Sequence, residues 1–388
     1  MPTALPQRSL ERFLCCAIAD DEDWHRRELK QLWLAVGDQS AWEFASEHES
    51  EGTAAIALEK VLGSELPIRW RDARERVERR ITLYMQSLDG VATRLAVHGV
   101  PLVALKNSGI ARAIFTDLGG CFMGDVDVLV NPLDFRQAHE SMVGLGFRLK
   151  SRSPLGEKTI EEIERTGGFE YECDLPDGEV LWFELQWRPV AGRWIRPDQE
   201  PSAAALLERS VPIGSSSVRL LSPNDNLLQV CLHTAKHSFI RAPGLRLHTD
   251  VDRIVRRCQI DWDAFVKEVD RLQVRTAVYF SLRIPTELLL TPIPPQVLEL
   301  LHPPSWKVKA LERSLQKAGF FHPHRKKWSR LGFIWFNLLL YDDFSGLWRA
   351  LFPDPKWICS HYRIERRWIL PLWYFVRLWE LTFKRAVT

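Results

Sequence analysis

The spacing of apolar positions divides the chain into three stretches. Up to residue 95, apolar residues recur at helical spacing among abundant Glu and Arg, with few strand signals. The run RDARERVERRITLYMQSLDGVATRLAVHG predicts a long amphipathic helix ending near Gly99. From 100 the pattern changes. VPLVALK predicts a short strand and NSGIARAIFT a helix. In MGDVDVLV, Val126, Val128 and Val130 alternate with Asp125 and Asp127, as in a half-buried strand. NPLDFRQAHESMVGLGF predicts a capped helix closed at Gly146. FEYECDL and EVLWFELQW, joined by the turn PDG, predict a hairpin, and SVPIG with SVRLL a further strand pair ending near 221. Ser222 before Pro223 and Asp225 marks a helix start. Beyond it PNDNLLQVCLHTAKHSF, LRLHTDVDRIVRRC and DWDAFVKEVDRL are the clearest helices. The expected fold is α+β: an N-terminal helical region over 1–95, a core with a mixed sheet over 96–221, and a C-terminal helical domain over 222–388.

Composition narrows the chemistry more than the fold. With 388 residues the chain has room for two or three domains and a substantial core. Lys plus Arg number 52 against 50 for Asp plus Glu, so there is no basic surplus of the kind that grips a nucleic acid backbone. That balance argues against nucleic acid as the main partner and favours a small-molecule, peptide or protein one. The seven cysteines are odd in number and form no C-x-x-C pair, so neither a disulfide framework nor a zinc knuckle is expected. A cytoplasmic location is the expectation. The N-terminus lacks the apolar core of a signal peptide, and no run reaches the ~18 apolar residues of a membrane span.

The alternating aspartates are the first candidate chemistry. Residues i and i+2 of a strand point to one face, so Asp125 and Asp127 stand side by side. Their charges repel unless a cation lies between them, and Mg²⁺ takes such oxygen ligands, completing its shell with water and substrate phosphates. A D-x-D also occurs at surface turns, so its surroundings matter. Upstream, LVALKNSGIARAI is an apolar strand entering a small polar turn and a helix, a junction that presents backbone N–H groups to a phosphate. Lys106 and Ser108 sit at that turn, although an ordinary strand-to-helix connection fits the same residues. On the strand LWFELQW, Leu181, Phe183, Leu185 and Trp187 share one face, while Trp182, Glu184, Gln186 and Arg188 share the other. Glu184 is either a third metal ligand, a base, or a solvent-facing edge residue.

His233 and His237 lie one helical turn apart with Lys236 beside them. The pattern is not H-E-x-x-H, and no third ligand follows at a clear spacing, so a zinc protease is excluded. A role facing a ligand and a structural, hydrogen-bonded role both remain open for the pair, as they do for Arg246 and Asp250. The segment RIERRWILPLWYFVRLWELTFKR mixes aromatic with basic residues, which suits a terminal helix packed on the body, a partner groove or a membrane surface.

In order along the chain, Leu105-Lys106, Gly124 to Val130, Glu184 to Trp187, His233 with His237, and Leu245-Arg246 with Asp250 resemble the motifs of an uncharacterised nucleotidyltransferase family. That family belongs to the DNA polymerase β-like nucleotidyltransferase superfamily. The resemblance covers 100–260 and continues more loosely through LFPDPKWICSHYRI at 351–364. It implies a polymerase β-like core between helical flanks, and transfer of a nucleoside monophosphate from an NTP, with ATP the expected donor. It implies Mg²⁺ on Asp125, Asp127 and Glu184, which are also the expected catalytic residues. Lys106, Asn107, Ser108, Gly124, His233, Lys236, His237 and Arg246 are the implied nucleotide contacts. The implied acceptor is a small molecule, peptide or protein, in a bacterial biosynthetic pathway.

Three positions depart from the family pattern. Asn107 replaces a turn glycine, Cys121 an arginine, and Gln186 a histidine. They support a second expectation, a binding or scaffold protein that keeps the fold with a weak or silent site. A peripheral membrane or protein contact through 361–388 is a further one.

Overall fold

The computed structural model describes residues 9–150, 167–176, 178–190, 195–362, 364 and 366–380, without the side chains of 357, 360, 361 and 367. Asp177 of the hairpin turn, and Arg363, Lys384 and Arg385 of the C-terminal segment, lie outside the described residues.

The long helix runs over Ile68–Val97 and buries Trp70, Ala73, Val77, Ile81, Tyr84, Leu88 and Leu95, a stripe at three- and four-residue spacing. Gly99, at φ +72°, turns the chain out of it. Among the described residues seven strands follow: β1 (Leu102–Ala104), β2 (Val126–Leu129), β3 (Arg148–Leu149), β4 (Gly168–Asp174), β5 (Val180–Gln186), β6 (Val211–Pro212) and β7 (Val218–Leu220). They form one sheet in the order β3-β4-β5-β2-β1-β7-β6. β2 with β5 and β1 with β7 are parallel, and the other pairs are antiparallel, so the sheet is mixed, as the sequence pattern implied.

Alternation along the strands decides what each face of the sheet does. Leu102, Ala104, Val126, Val128, Leu181, Phe183 and Leu185 face the long helix and share a core with Ile81, Tyr84 and Leu88. Burying one such side chain contributes about 1.5–3 kcal/mol, which pins the register, because a one-residue slip would turn the whole set outward. The other face carries a much smaller core of Val103, Leu105, Leu129, Leu206 and Leu221. Leu206 comes from a short helix, Ala203–Arg209, that the sequence pattern does not single out. Asp127, Glu184 and Gln186 alternate out of phase with the Val126 and Phe183 set, so they lie on this sparsely covered face.

The N-terminal helices and the C-terminal helices share a third core. It joins Phe13, Leu14, Trp33 and Trp70 with Leu227, Phe239, Val251 and Phe280. Trp70 is the centre of an aromatic cluster, 5.6 Å from Trp33 and 5.0 Å from Trp42, ring to ring. Polar contacts tie the same junction: the Asp20 N–H donates to Asp252 at 2.8 Å, and Arg257 pairs with Asp20 at 2.5 Å. Ser222 caps the helix Pro223–Lys236, accepting from the Asp225 N–H, as its position before Pro223 suggested. Of the C-terminal aromatic segment, Trp368, Leu372, Phe375 and Trp379 are exposed, whereas Arg377 is buried and donates to the Ala350 carbonyl. No helix among the described residues is long and apolar enough to cross a membrane.

The junction also makes the protein acid-sensitive. Burial holds His48, set between Phe44 and Phe321, and His248 neutral, each down to about 4 from an ordinary 6.5. Between those values the unfolded chain takes up protons that the folded chain refuses, so stability falls as pH drops from about 6.5 toward 4. Each histidine accounts for about 3 kcal/mol of that loss. In denaturation midpoints measured across this window, His48→Phe is expected to flatten the acid limb. An unchanged slope would mean that His48 titrates alike in both states.

Candidate active site

The site is assembled at the carboxyl end of β1 and on the open face of β2 and β5. β2 and β5 are parallel with Asp127 directly opposite Glu184, which brings two acids from distant segments side by side. Asp125 stands just before β2. One ligand oxygen from each of Asp125, Asp127 and Glu184 lies within 4.8 Å of the others. Asp127 is buried at 3% exposure, while Asp125 and Glu184 are half-buried.

Lys106 reaches into this triad. Its Nζ is 2.6 Å from Asp127 Oδ1 and 3.5 Å from Glu184 Oε2. Burial alone would push the ammonium pKa down, but Asp127, Glu184 and Asp125 together reverse this and hold it above the usual lysine range. The side chain gets there through an unusual backbone. Lys106 has φ +48°, a left-handed conformation that costs a non-glycine residue about 1–2 kcal/mol. The turn therefore places its left-handed residue at Lys106, one position before Asn107, which stands where the family pattern has its turn glycine.

Asp127 is the most constrained of the three acids. Burial raises its pKa, Lys106 lowers it, and the neighbouring Asp125 and Glu184 raise it again, leaving it well above the usual carboxylate range. Gln186 Nε2 donates to Asp127 Oδ1 at 2.8 Å, and the Asp127 N–H donates to Ser108 Oγ at 2.9 Å. Ser108 is fully buried and contacts Met123 Sδ at 3.9 Å, so its hydroxyl serves the strand. Lys106 brings one positive charge to the three carboxylates. Their clustered oxygens suit a hard divalent cation with oxygen ligands, the class to which Mg²⁺ belongs.

The opposite wall is helical and rich in nitrogen. His233 and His237 sit with ring centroids 4.8 Å apart at the end of Pro223–Lys236. Burial first, then Lys106, His237, Lys236 and Arg246, drive His233 well below its ordinary pKa. His237 is brought down to about 3 by burial and Lys236, and its Nδ1 contacts the Ala242 carbonyl at 2.8 Å. Both rings are therefore neutral hydrogen-bonding groups. Lys236 donates to the Val190 carbonyl at 2.9 Å; burial and Lys106 lower its pKa, while Glu184 and Asp127 resist.

Arg246 is set back from the carboxylates. It donates to the Phe122 carbonyl at 2.7 Å, lies 4.6 Å over the Phe122 ring, and pairs with Glu49 at 3.1 Å, bracing the loop that leads to exposed Gly124. The hydrogen-bonding pattern sets the Asn107 amide nitrogen toward Asp250, 2.9 and 3.1 Å from its two oxygens. Burial raises Asp250 to about 6, against the pull of Arg253 and Arg246. The structure thus gathers Lys106, His233, His237 and Lys236 around the triad, and leaves Asn107, Ser108 and Arg246 engaged with protein groups.

A mixed sheet that sets three acids from two parallel strands beside a strand-turn-helix junction, with helices on either flank, defines a nucleotidyltransferase core. Residues 38–289 match a family described as uncharacterised nucleotidyltransferase, and the chain belongs to that family. No curated protein matches the chain. The matched span begins within the N-terminal helices and ends after the helix Arg275–Leu288, so it includes the sheet and part of each helical flank.

Proposed function

We propose that the protein transfers a nucleoside monophosphate from a Mg²⁺-bound NTP, ATP being the expected donor, to a hydroxyl on a small-molecule, peptide or protein acceptor. The observation that carries this reading is the β2–β5 register, which sets Asp127 against Glu184 with Asp125 beside them. Magnesium on these carboxylates would neutralise phosphate charge and align the triphosphate. The acceptor oxygen forms a bond to the α-phosphorus while the bond to the bridging oxygen breaks, and pyrophosphate leaves with that electron pair. The acceptor proton passes to a carboxylate. Glu184, whose side chain is 24% exposed against 5% for Asp127, is the better placed to receive it. Lys106 and Lys236 supply positive charge, and the neutral His233 and His237 supply hydrogen bonds, so positioning and charge neutralisation do most of the catalysis.

The departures from the family pattern fit this reading. Gln186 orients Asp127 through its amide, a task open to the histidine it replaces. Cys121 is buried, and Arg246 and Arg253 bring positive charge toward it from the helix Arg246–Arg257.

Calorimetric titration of ATP, GTP, CTP and UTP with Mg²⁺ tests the proposal. One nucleotide is expected to bind in a Mg²⁺-dependent way, and Asp125→Ala/Asp127→Ala to lose it. No binding of any nucleotide to the wild type would leave a fold-retaining binding protein as the better reading.

A further inference from the structure

A separate cavity opens where the N-terminal helices, the 114–120 connection and the helix Arg246–Arg257 meet. It encloses about 90 Å³, and its walls include Asp20, Thr53, Lys60, Phe115, Arg253 and Arg257. None of the carboxylates or nitrogen donors of the active site lines it.

Three short ion pairs hold most of the charged groups around this cavity, and Arg253 is in none of them. Arg257 pairs with Asp20 at 2.5 Å, Lys60 with Glu22 at 2.6 Å, and Asp117 with Arg74 at 2.6 Å. Arg253 is only 8% exposed and lies 4.5 Å over the Phe115 ring. Among the described residues its guanidinium makes no hydrogen bond and no ion pair; the ring contact is what holds it. A guanidinium carries five donors and cannot shed its charge. Burying one without an acceptor is unfavourable, and buried polar groups are almost always paired.

The space beside it decides what the missing partner is. A single water needs about 10–15 Å³ of such space, so the cavity has room for several waters or one small oxyanion. Asp250 and Asp20 lie within electrostatic reach of Arg253 but neither touches its guanidinium, so water alone would leave that edge without an anion in direct contact. With one face of the guanidinium against Phe115, its edge remains available, and that edge matches two oxygens of a carboxylate or phosphate. We infer that this cavity is a binding site for a small oxyanion, a phosphate or a carboxylate, held through the edge of Arg253.

An anion here touches all three segments of the junction at once. Binding the folded chain and not the unfolded one, it raises stability with its concentration. The site is separate from the metal site, since none of Asp125, Asp127, Glu184 or the nitrogen donors beside them lines the cavity.

Inorganic phosphate and malonate, titrated separately in Mg²⁺-free buffer and followed by calorimetry and thermal melting, test it and distinguish the two chemistries. One of them is expected to bind saturably and raise the melting temperature of both the wild type and the better-folded Asp125→Asn/Asp127→Asn. Persistence in that double variant locates binding away from the carboxylates. Arg253→Gln is expected to abolish binding. Arg253→Lys keeps the charge but loses the fork, and is expected to weaken binding by about tenfold or more; it decides the matter if the Gln variant does not fold. Failure of both anions to bind the wild type, or unchanged binding in the Arg253 variants, would mean that the cavity holds water only and would overturn the inference.

Discussion

Asp127→Asn is expected to lose Mg²⁺-dependent nucleotide binding and transfer while keeping most of the protein's stability, whereas Asp127→Ala loses both. The reason lies in the two jobs of one side chain. As a metal ligand Asp127 must be a carboxylate, and an amide removes the charge that a hard cation requires. Even a supporting partner of a metal ligand costs about 10- to 100-fold when removed, so a ligand itself should cost more. As a structural group Asp127 mainly accepts hydrogen bonds, from Lys106 at 2.6 Å and Gln186 at 2.8 Å. The carbonyl oxygen of asparagine accepts the same bonds. Burial already pushes the Asp127 carboxyl toward its neutral form, which further reduces the structural loss on going to an amide.

Alanine removes the acceptor altogether. Lys106, buried and strained at φ +48°, is then left with Glu184 at 3.5 Å as its nearest counter-charge. Breaking a buried pair on one side costs about 3–5 kcal/mol, and Glu184 should hold the loss toward the lower end. Calorimetry with Mg²⁺ and the preferred NTP, beside denaturant midpoints for both variants, separates the two jobs. An Asn variant that binds Mg-NTP like the wild type would remove Asp127 from the metal site.

The contrast between the two jobs also explains what the sequence could and could not show. The carboxylate positions were legible because strand alternation is strict: a D-x-D flanked by Val126, Val128 and Val130 has one face for the core and one for chemistry. Glu184 stood out as a lone acid among Leu181, Trp182, Phe183 and Leu185. That it lies directly opposite Asp127 was not legible, because register between segments distant in sequence is set by packing against Ile81, Tyr84 and Leu88. Nor was the destination of Lys106. At a strand end before a polar turn it reads as a phosphate contact, yet it turns inward to Asp127 because a backbone strain no propensity records directs it there. Ser108 is a similar case, a small hydroxyl at a turn whose partner proves to be the Asp127 N–H. Arg253 carried no signal at all. Its chemistry exists only where three segments meet, and in sequence it is one of several arginines on a strongly amphipathic helix.

Those segments meet through close backbone contact, and Gly52→Ala is expected to destabilise the protein although it lies in a helix, where the change is ordinarily favourable. Replacing a helical glycine by alanine normally gains about 0.8–1.0 kcal/mol. At Gly52, in Glu51–Leu62, an added Cβ would stand 2.2 Å from the Gly119 carbonyl oxygen, well inside contact distance. The obstruction is backbone, and it cannot easily yield. The Gly119 N–H is tied to Asp117 at 2.9 Å, Thr53 Oγ1 donates to the Gly120 carbonyl at 2.7 Å, and Arg74 closes the far side. Overpacking of this kind costs about 1–3 kcal/mol, occasionally more, and at such an overlap it outweighs the propensity gain. Gly90 supplies the control. It is exposed in the middle of Ile68–Val97 with nothing within 4 Å of its Cβ position, so Gly90→Ala should gain roughly 0.5–1 kcal/mol. Denaturant midpoints of opposite sign for the two variants are the expected result; a Gly52 variant that gains stability as Gly90→Ala does would show that the junction has slack. The 118–120 turn leads directly into Cys121, Gly124 and Asp125, so the strain should also reach the metal site. Gly52→Ala is therefore expected to weaken Mg-NTP binding at a temperature where the protein is still folded, whereas Gly90→Ala should leave it unchanged.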